Sequence, residues 1–124
     1  EALSGAPGLR LPERRDGEGY VASSIQFLCP DLSAAAAADF LARCKARGVE
    51  LKWFGAEAPA GYTSRHSHWR YVARQTMPRT DAVLAGLFDM RLPLTFSLED
   101  CRLIGRIIRE SLAETRQAAL DGAA

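Results

Sequence analysis

Apolar and polar positions alternate with a period of two over residues 20–29 and 90–96, and with a helical period over 34–47 and 101–112. In the first stretch Val21, Ser23, Ile25, Phe27 and Cys29 share a face apolar enough to be buried, opposite Tyr20, Ala22, Ser24, Gln26 and Leu28. Pro30-Asp-Leu-Ser33 stops that strand and offers Asp31 or Ser33 as N-cap of a helix reaching about Arg47. From this helix Ala37, Phe40, Leu41 and Cys44 point inward, and Gly48 is its C-terminal stop. Residues 49–54 read as a second strand, 55–62 as a loop containing Pro59, and 80–88 as a shorter helix. Leu92, Leu94 and Phe96 then alternate with Arg91, Pro93 and Thr95, predicting a strand over 90–96 with one buried face. Pro93 has no N–H to give a ladder, so that strand lies at an edge or ends its pairing there.

The last helix is announced by its cap. Ser97 stands three residues before Asp100, its hydroxyl placed to accept from an N–H without an intrahelical partner, and Glu99 and Asp100 favour the positive end of the helix dipole. Cys101, Ile104, Ile107, Ile108 and Leu112 form the apolar stripe, with Arg102, Arg106, Arg109 and Glu110 on the solvated side. Glu110 lies four after Arg106, so pairing along that face is available. The predicted order is strand, helix, strand, long connection, helix, strand, helix. It implies an α+β fold, a two-layer sandwich with a small, mainly antiparallel sheet and its helices on one side. Residues 1–19, with Pro7, Pro12 and four glycines, read as a connector, 20–113 as the domain, and 114–124 as a tail or the end of the last helix.

Composition narrows the function classes. With 124 residues, 48% of them hydrophobic, the chain has material for one core. A net charge of +1 gives no reason to expect nucleic acid or an anionic membrane as partner. No apolar run approaches the roughly 20 residues of a membrane span, and the polar opening does not read as a signal peptide. Cys29, Cys44 and Cys101 are odd in number and widely spaced, so a reducing, cytoplasmic setting is expected rather than a disulfide framework.

One stretch is dense in chemistry: Gly61-Tyr-Thr-Ser-Arg-His-Ser-His-Trp-Arg-Tyr71 puts cations and aromatics in a connection, where functional residues concentrate. The bland reading is a polar loop anchored by its rings. His66 and His68 supply too few ligands for zinc, and the cysteines sit on presumed core faces, so no metal site is expected. Cys101 opens a helix, yet its place in the apolar stripe argues for core rather than for a nucleophile.

Gly8-Leu-Arg-Leu-Pro12, Gly48-Val-Glu-Leu-Lys-Trp-Phe-Gly55, the 61–71 stretch, and the run Asp81-Ala-Val-Leu-Ala-Gly-Leu, Leu92-Pro-Leu, Ser97-Leu-Glu-Asp100 occur in a characteristic order. Over roughly residues 5–113 this resembles the C-terminal small domain of a DegT/DnrJ-type aminotransferase. Those are fold-type I, pyridoxal-phosphate transferases that aminate keto-sugars or keto-cyclitols in sugar biosynthesis. The resemblance implies a small domain that closes the active site and helps position a keto-sugar acceptor. It also implies a large cofactor-binding domain as partner, an amino-acid donor, and a homodimer. By the same resemblance the 61–71 connection approaches the active-site entrance. Arg65, His66 and His68 would there meet a phosphate or carboxylate of the substrate, and Trp69 or Trp53 a sugar or base.

The family's cofactor chemistry needs a lysine of lowered pKa and a phosphate cradle at a helix N-terminus. This chain has only Lys45 and Lys52, neither in the family's Ser/Gly-His-x-small context, and no Gly-rich turn between strand and helix. No catalytic residue, bound cofactor or catalysis in isolation is therefore expected. Fold alone also permits a free-standing module that binds a small molecule or a protein. A single-stranded RNA binder would want aromatics on an exposed sheet face, which Tyr20, Ser24 and Gln26 do not supply.

Overall fold

Three strands, β1 (Ser24–Leu28), β2 (Lys52–Trp53) and β3 (Leu87–Arg91), form an antiparallel sheet in the order β1-β3-β2. They are seen in a computed structural model of the chain, which describes residues 1–62 and 65–122. The helices are α1 (Ala34–Ala46), α2 (Pro78–Ala85) and α3 (Leu98–Asp121). The fold is the expected α+β class, with α1 and α3 packed on each other and on one face of the sheet.

The register explains the core. Phe27 faces Phe88 across β1 and β3, and Trp53 faces Phe88 across β2 and β3. The three rings form a row spanning the sheet, Phe27 stacked on Phe88 at 5.6 Å and Trp53 on Phe88 at 6.5 Å between centroids. Phe40 of α1 lies edge-on above the row, 5.3 Å from Phe88 and 6.5 Å from Phe27. Ile108 and Leu112 of α3 complete this buried cluster, as the apolar stripe predicts, with Ile104 and Ile107 partly buried beside them. Each such side chain contributes about 1.5–3 kcal/mol by leaving water.

Local signals set the helix ends. Ser33, one of the two expected caps, accepts from Ala36 N–H at 3.2 Å. Gly48, with φ of +81°, lets its own N–H reach Lys45 O and that of Val49 reach Cys44 O, the paired bonds that close a helix C-terminus. At α3, Ser97 Oγ accepts from Asp100 N–H while the Asp100 carboxylate accepts from Ser97 N–H at 2.8 Å, a reciprocal capping box. Pro78 opens α2, where a missing N–H costs nothing.

Residues 1–10, part of the expected connector, join the core. Leu3, Ala6 and Leu9 are buried, and Arg10 exchanges two backbone hydrogen bonds with Leu28. Gly105 makes room for this segment, since a Cβ there would come within 2.4 Å of Ala2 Cβ. Arg109 Nη1 donates to Ala2 O and Ser4 O, both at 3.3 Å. The ion pairs of α3 cross to α1 rather than linking Arg106 to Glu110. Glu114 accepts from Arg43 and Arg47 at 3.0 and 2.6 Å, and Asp39 from Arg43 and Thr115, each at 2.7 Å. Thr115 is buried and the helix continues to Asp121, so the described part of 114–124 is helix; Ala123 and Ala124 lie outside the described residues.

Four expected elements are corrected. The strand placed over 90–96 is β3, which ends at Arg91; Leu94 is 99% exposed and Phe96 38%. The ladder stops because Leu92 N–H makes its last bond, to Ser23 O, Pro93 has none to give, and Phe96 N–H turns back to Pro93 O. The helix placed over 80–88 is Pro78–Ala85, with Leu87 and Phe88 already in β3. In the 49–54 stretch only Lys52–Trp53 pairs, and in the first strand Val21 is exposed where burial was expected. The three cysteines are free, Cys29 and Cys44 buried and Cys101 half-buried. Among the described residues no helix is long and apolar enough to cross a membrane.

Candidate functional site

The 61–71 connection contains a single 3-10 turn, His66–His68, and its charged side chains are tied to neighbouring elements. Asp81, in the first turn of α2, is the anchor. His66 Nε2 donates to Asp81 Oδ1 at 2.8 Å, and Arg65 Nη2 lies 3.5 Å from the same oxygen. These partners hold the Asp81 carboxyl below its usual range, the His66 hydrogen bond most of all. Arg65 also donates a long bond, 3.4 Å, to Gly55 O. His68 Nε2 lies 2.7 Å from Glu57 O; a carbonyl only accepts, so this nitrogen carries the proton.

That geometry leaves two polar atoms in the turn, Arg65 Nε and His68 Nδ1, buried without a hydrogen-bond partner among the described residues. One has a hydrogen to give. The other, in the neutral tautomer that Glu57 O selects, has a lone pair to receive one. Trp69 is about half exposed and shares a shallow recess with His68, Arg70 and Tyr71. The four residues singled out from the sequence therefore lie in one turn, three of them pinned and Trp69 open to solvent. Thr63 and Ser64, in the same stretch, lie outside the described residues. Among the described residues no three histidine, cysteine or acidic side chains converge as metal ligands.

Lys52 has a second role in holding this region. Its Nζ donates to Ala60 O and Tyr62 O, both at 2.8 Å, and lies 3.2 Å from the centroid of the Tyr62 ring. The ammonium thus clips the 54–62 loop to the sheet edge. Burial lowers its pKa, an effect that the nearby Asp89 charge opposes.

Neither lysine fits pyridoxal phosphate. Lys45 is on the exposed side of α1, and Lys52 has spent its hydrogens on two carbonyls and a ring. The N-termini of α1 and α3 are no better as a phosphate cradle. Ser33 already occupies that of α1, and Ser97, Glu99 and Asp100 make that of α3 acidic.

Sequence reasoning missed Asp81 as the anchor and Asp89 altogether. Asp89 sits between the buried Phe88 and Met90 and is itself only 6% exposed. An acidic residue inside an apolar run was the signal available for it. A scan against family models and searches of curated proteins and of solved structures find no match to this chain.

Proposed function

We propose that the chain is the small C-terminal domain of a pyridoxal-phosphate aminotransferase of the DegT/DnrJ type, acting on a keto-sugar or keto-cyclitol in the cytoplasm as part of a homodimer. The observation that carries this reading is the closing segment. There Asp81-Ala-Val-Leu-Ala-Gly-Leu, Leu92-Pro-Leu and Ser97-Leu-Glu-Asp100 follow one another in the sequence as in the family's closing pattern, although the strand that the pattern puts at Leu92-Pro-Leu is here Leu87–Arg91. The cofactor belongs to a large domain, because no residue described above is suited to hold it. That domain would supply the proton transfers, and this one orientation and exclusion of water.

Within that division of labour the 65–69 turn is the part of this domain that meets the acceptor. Arg65 supplies a loop cation suited to a phosphate or carboxylate, and His68 an imidazole suited to a sugar hydroxyl. Trp69 adds an exposed ring on which a sugar face or base can rest. The first test is the reading frame ahead of Glu1. A domain with a lysine in the Ser/Gly-His-x-Lys context supports the reading, and a start codon at that point ends it. In the complete protein Arg65→Ala is expected to raise KM for the acceptor by roughly tenfold or more with cofactor loading unchanged. Wild-type acceptor kinetics in a folded variant would remove the turn from the site.

A further inference from the structure

The net charge of +1 averages over an uneven chain. From residue 58 to residue 80 the sequence holds four arginines, Arg65, Arg70, Arg74 and Arg79, and no aspartate, glutamate or lysine. Arg43, Arg47 and Arg65 are tied to Asp39, Glu114 or Asp81. Arg70, Arg74 and Arg79 are exposed and make no hydrogen bond or ion pair with a described residue. Rings alternate with these free cations. Trp69 and Tyr71 flank Arg70, and the three share a recess with His68. Trp69 is about half exposed and Tyr71 99% exposed, so burial does not account for the tyrosine. Residues 69–76 are exposed throughout and lie outside every helix and strand, so the fold leaves their surface unclaimed.

We propose that the 69–79 strip binds single-stranded nucleic acid, with bases stacking on Trp69 and Tyr71 while Arg70, Arg74 and Arg79 meet phosphates. A guanidinium forks onto phosphate oxygens, and every unpaired base offers a π-face to an exposed ring, whatever the sequence. A duplex hides its base faces in the stack and leaves both rings idle. An acidic peptide neutralises the arginines but gives the rings no partner. An anionic bilayer asks for apolar side chains to insert, and Val72 is the one large aliphatic residue in 69–76. Only Trp69 is shared with the acceptor turn proposed above, so Tyr71 and the three arginines separate the two functions.

The test is fluorescence anisotropy of a labelled single-stranded oligothymidylate, about fifteen nucleotides long, titrated with the 124-residue chain. Binding is expected at low salt. Added salt should weaken it with a log–log slope of about −2, from about −0.7 for each phosphate met by an arginine. Arg70→Ala with Arg74→Ala is expected to bring that slope to about −0.7. Tyr71→Ala is expected to weaken binding about fivefold or more through the lost stacking. The substituted side chains are all exposed, and unchanged circular dichroism will show that the variants fold. The proposal is overturned by no binding at low salt, by equal affinity for a duplex of the same length, or by folded variants that bind unchanged. Binding to phosphatidylserine vesicles without binding to the oligonucleotide overturns it in favour of a membrane surface.

Discussion

The two faces of one ladder have opposite fates. Phe27, Phe88 and Trp53 make an aromatic row across the sheet under Phe40, while the next register line, Gln26, Asp89 and Lys52, is entirely polar. The first row is closed by two helices and has its shape fixed by ring contacts. In the second Gln26 is exposed, and Asp89, though only 6% exposed, makes no hydrogen bond with a described residue, its charge acting on Lys52. Residues adjacent in the chain thus divide labour, Phe88 supplying stability and Asp89 a polar group that stability does not require.

The largest effect should come from the closed face. Phe88→Ala removes the ring that touches Phe27, Phe40 and Trp53, and is expected to cost about 3–5 kcal/mol in urea unfolding. Asp89→Asn, one residue away, should change stability by less than about 1 kcal/mol. Comparable losses at the two positions would break the contrast. Ile108→Ala tests whether the closed face extends into α3, with an expected loss of about 2–5 kcal/mol.

Acid should act on the polar links between elements rather than on either row. Asp39, Glu114, Asp81 and Asp100 are all held below their usual pKa, chiefly by hydrogen bonds from Arg43, Arg47, His66 and Ser97 respectively. A carboxyl depressed in the folded state gives its full stabilisation above its unfolded pKa and loses it as the pH falls through the folded value. The melting temperature should therefore hold steady from neutral pH down to about 5 and decline below about 4. Asp39→Asn with Glu114→Gln should make that decline shallower. The smallest global effect is expected from Lys52→Met, which frees Ala60 O and Tyr62 O. Faster amide exchange confined to residues 54–62 and an almost unchanged melting temperature would mark Lys52 as a clip on the open face.

Periodicity located α1 and α3 because their signals are local. Ser33, Gly48 and the Ser97–Asp100 pair act within a few residues, and the Ile108–Leu112 stripe faces where its spacing says. The sheet was less legible because pairing is a long-range property. Leu92, Leu94 and Phe96 alternate as a strand should, but β1 runs out of partners at Ser24 opposite Arg91, and alternation alone cannot register that. The same holds for the 65–69 turn. Its residue types were visible as polar and aromatic density, whereas its anchoring to Asp81, fifteen positions beyond His66, is tertiary.

The unequal burial of the three thiols makes the chain selectively labelable. Burial pushes the Cys29 thiol up to about 12 and the Cys44 thiol up to about 11, so near neutrality neither offers the thiolate that alkylating reagents attack. Cys101, half-buried in the first turn of α3 and facing Ile104 and Ile108, is the one thiol with solvent access. A maleimide dye applied to the native chain should attach there alone, one per molecule. It would report when α3 lifts from the sheet, without any residue having been replaced to install it.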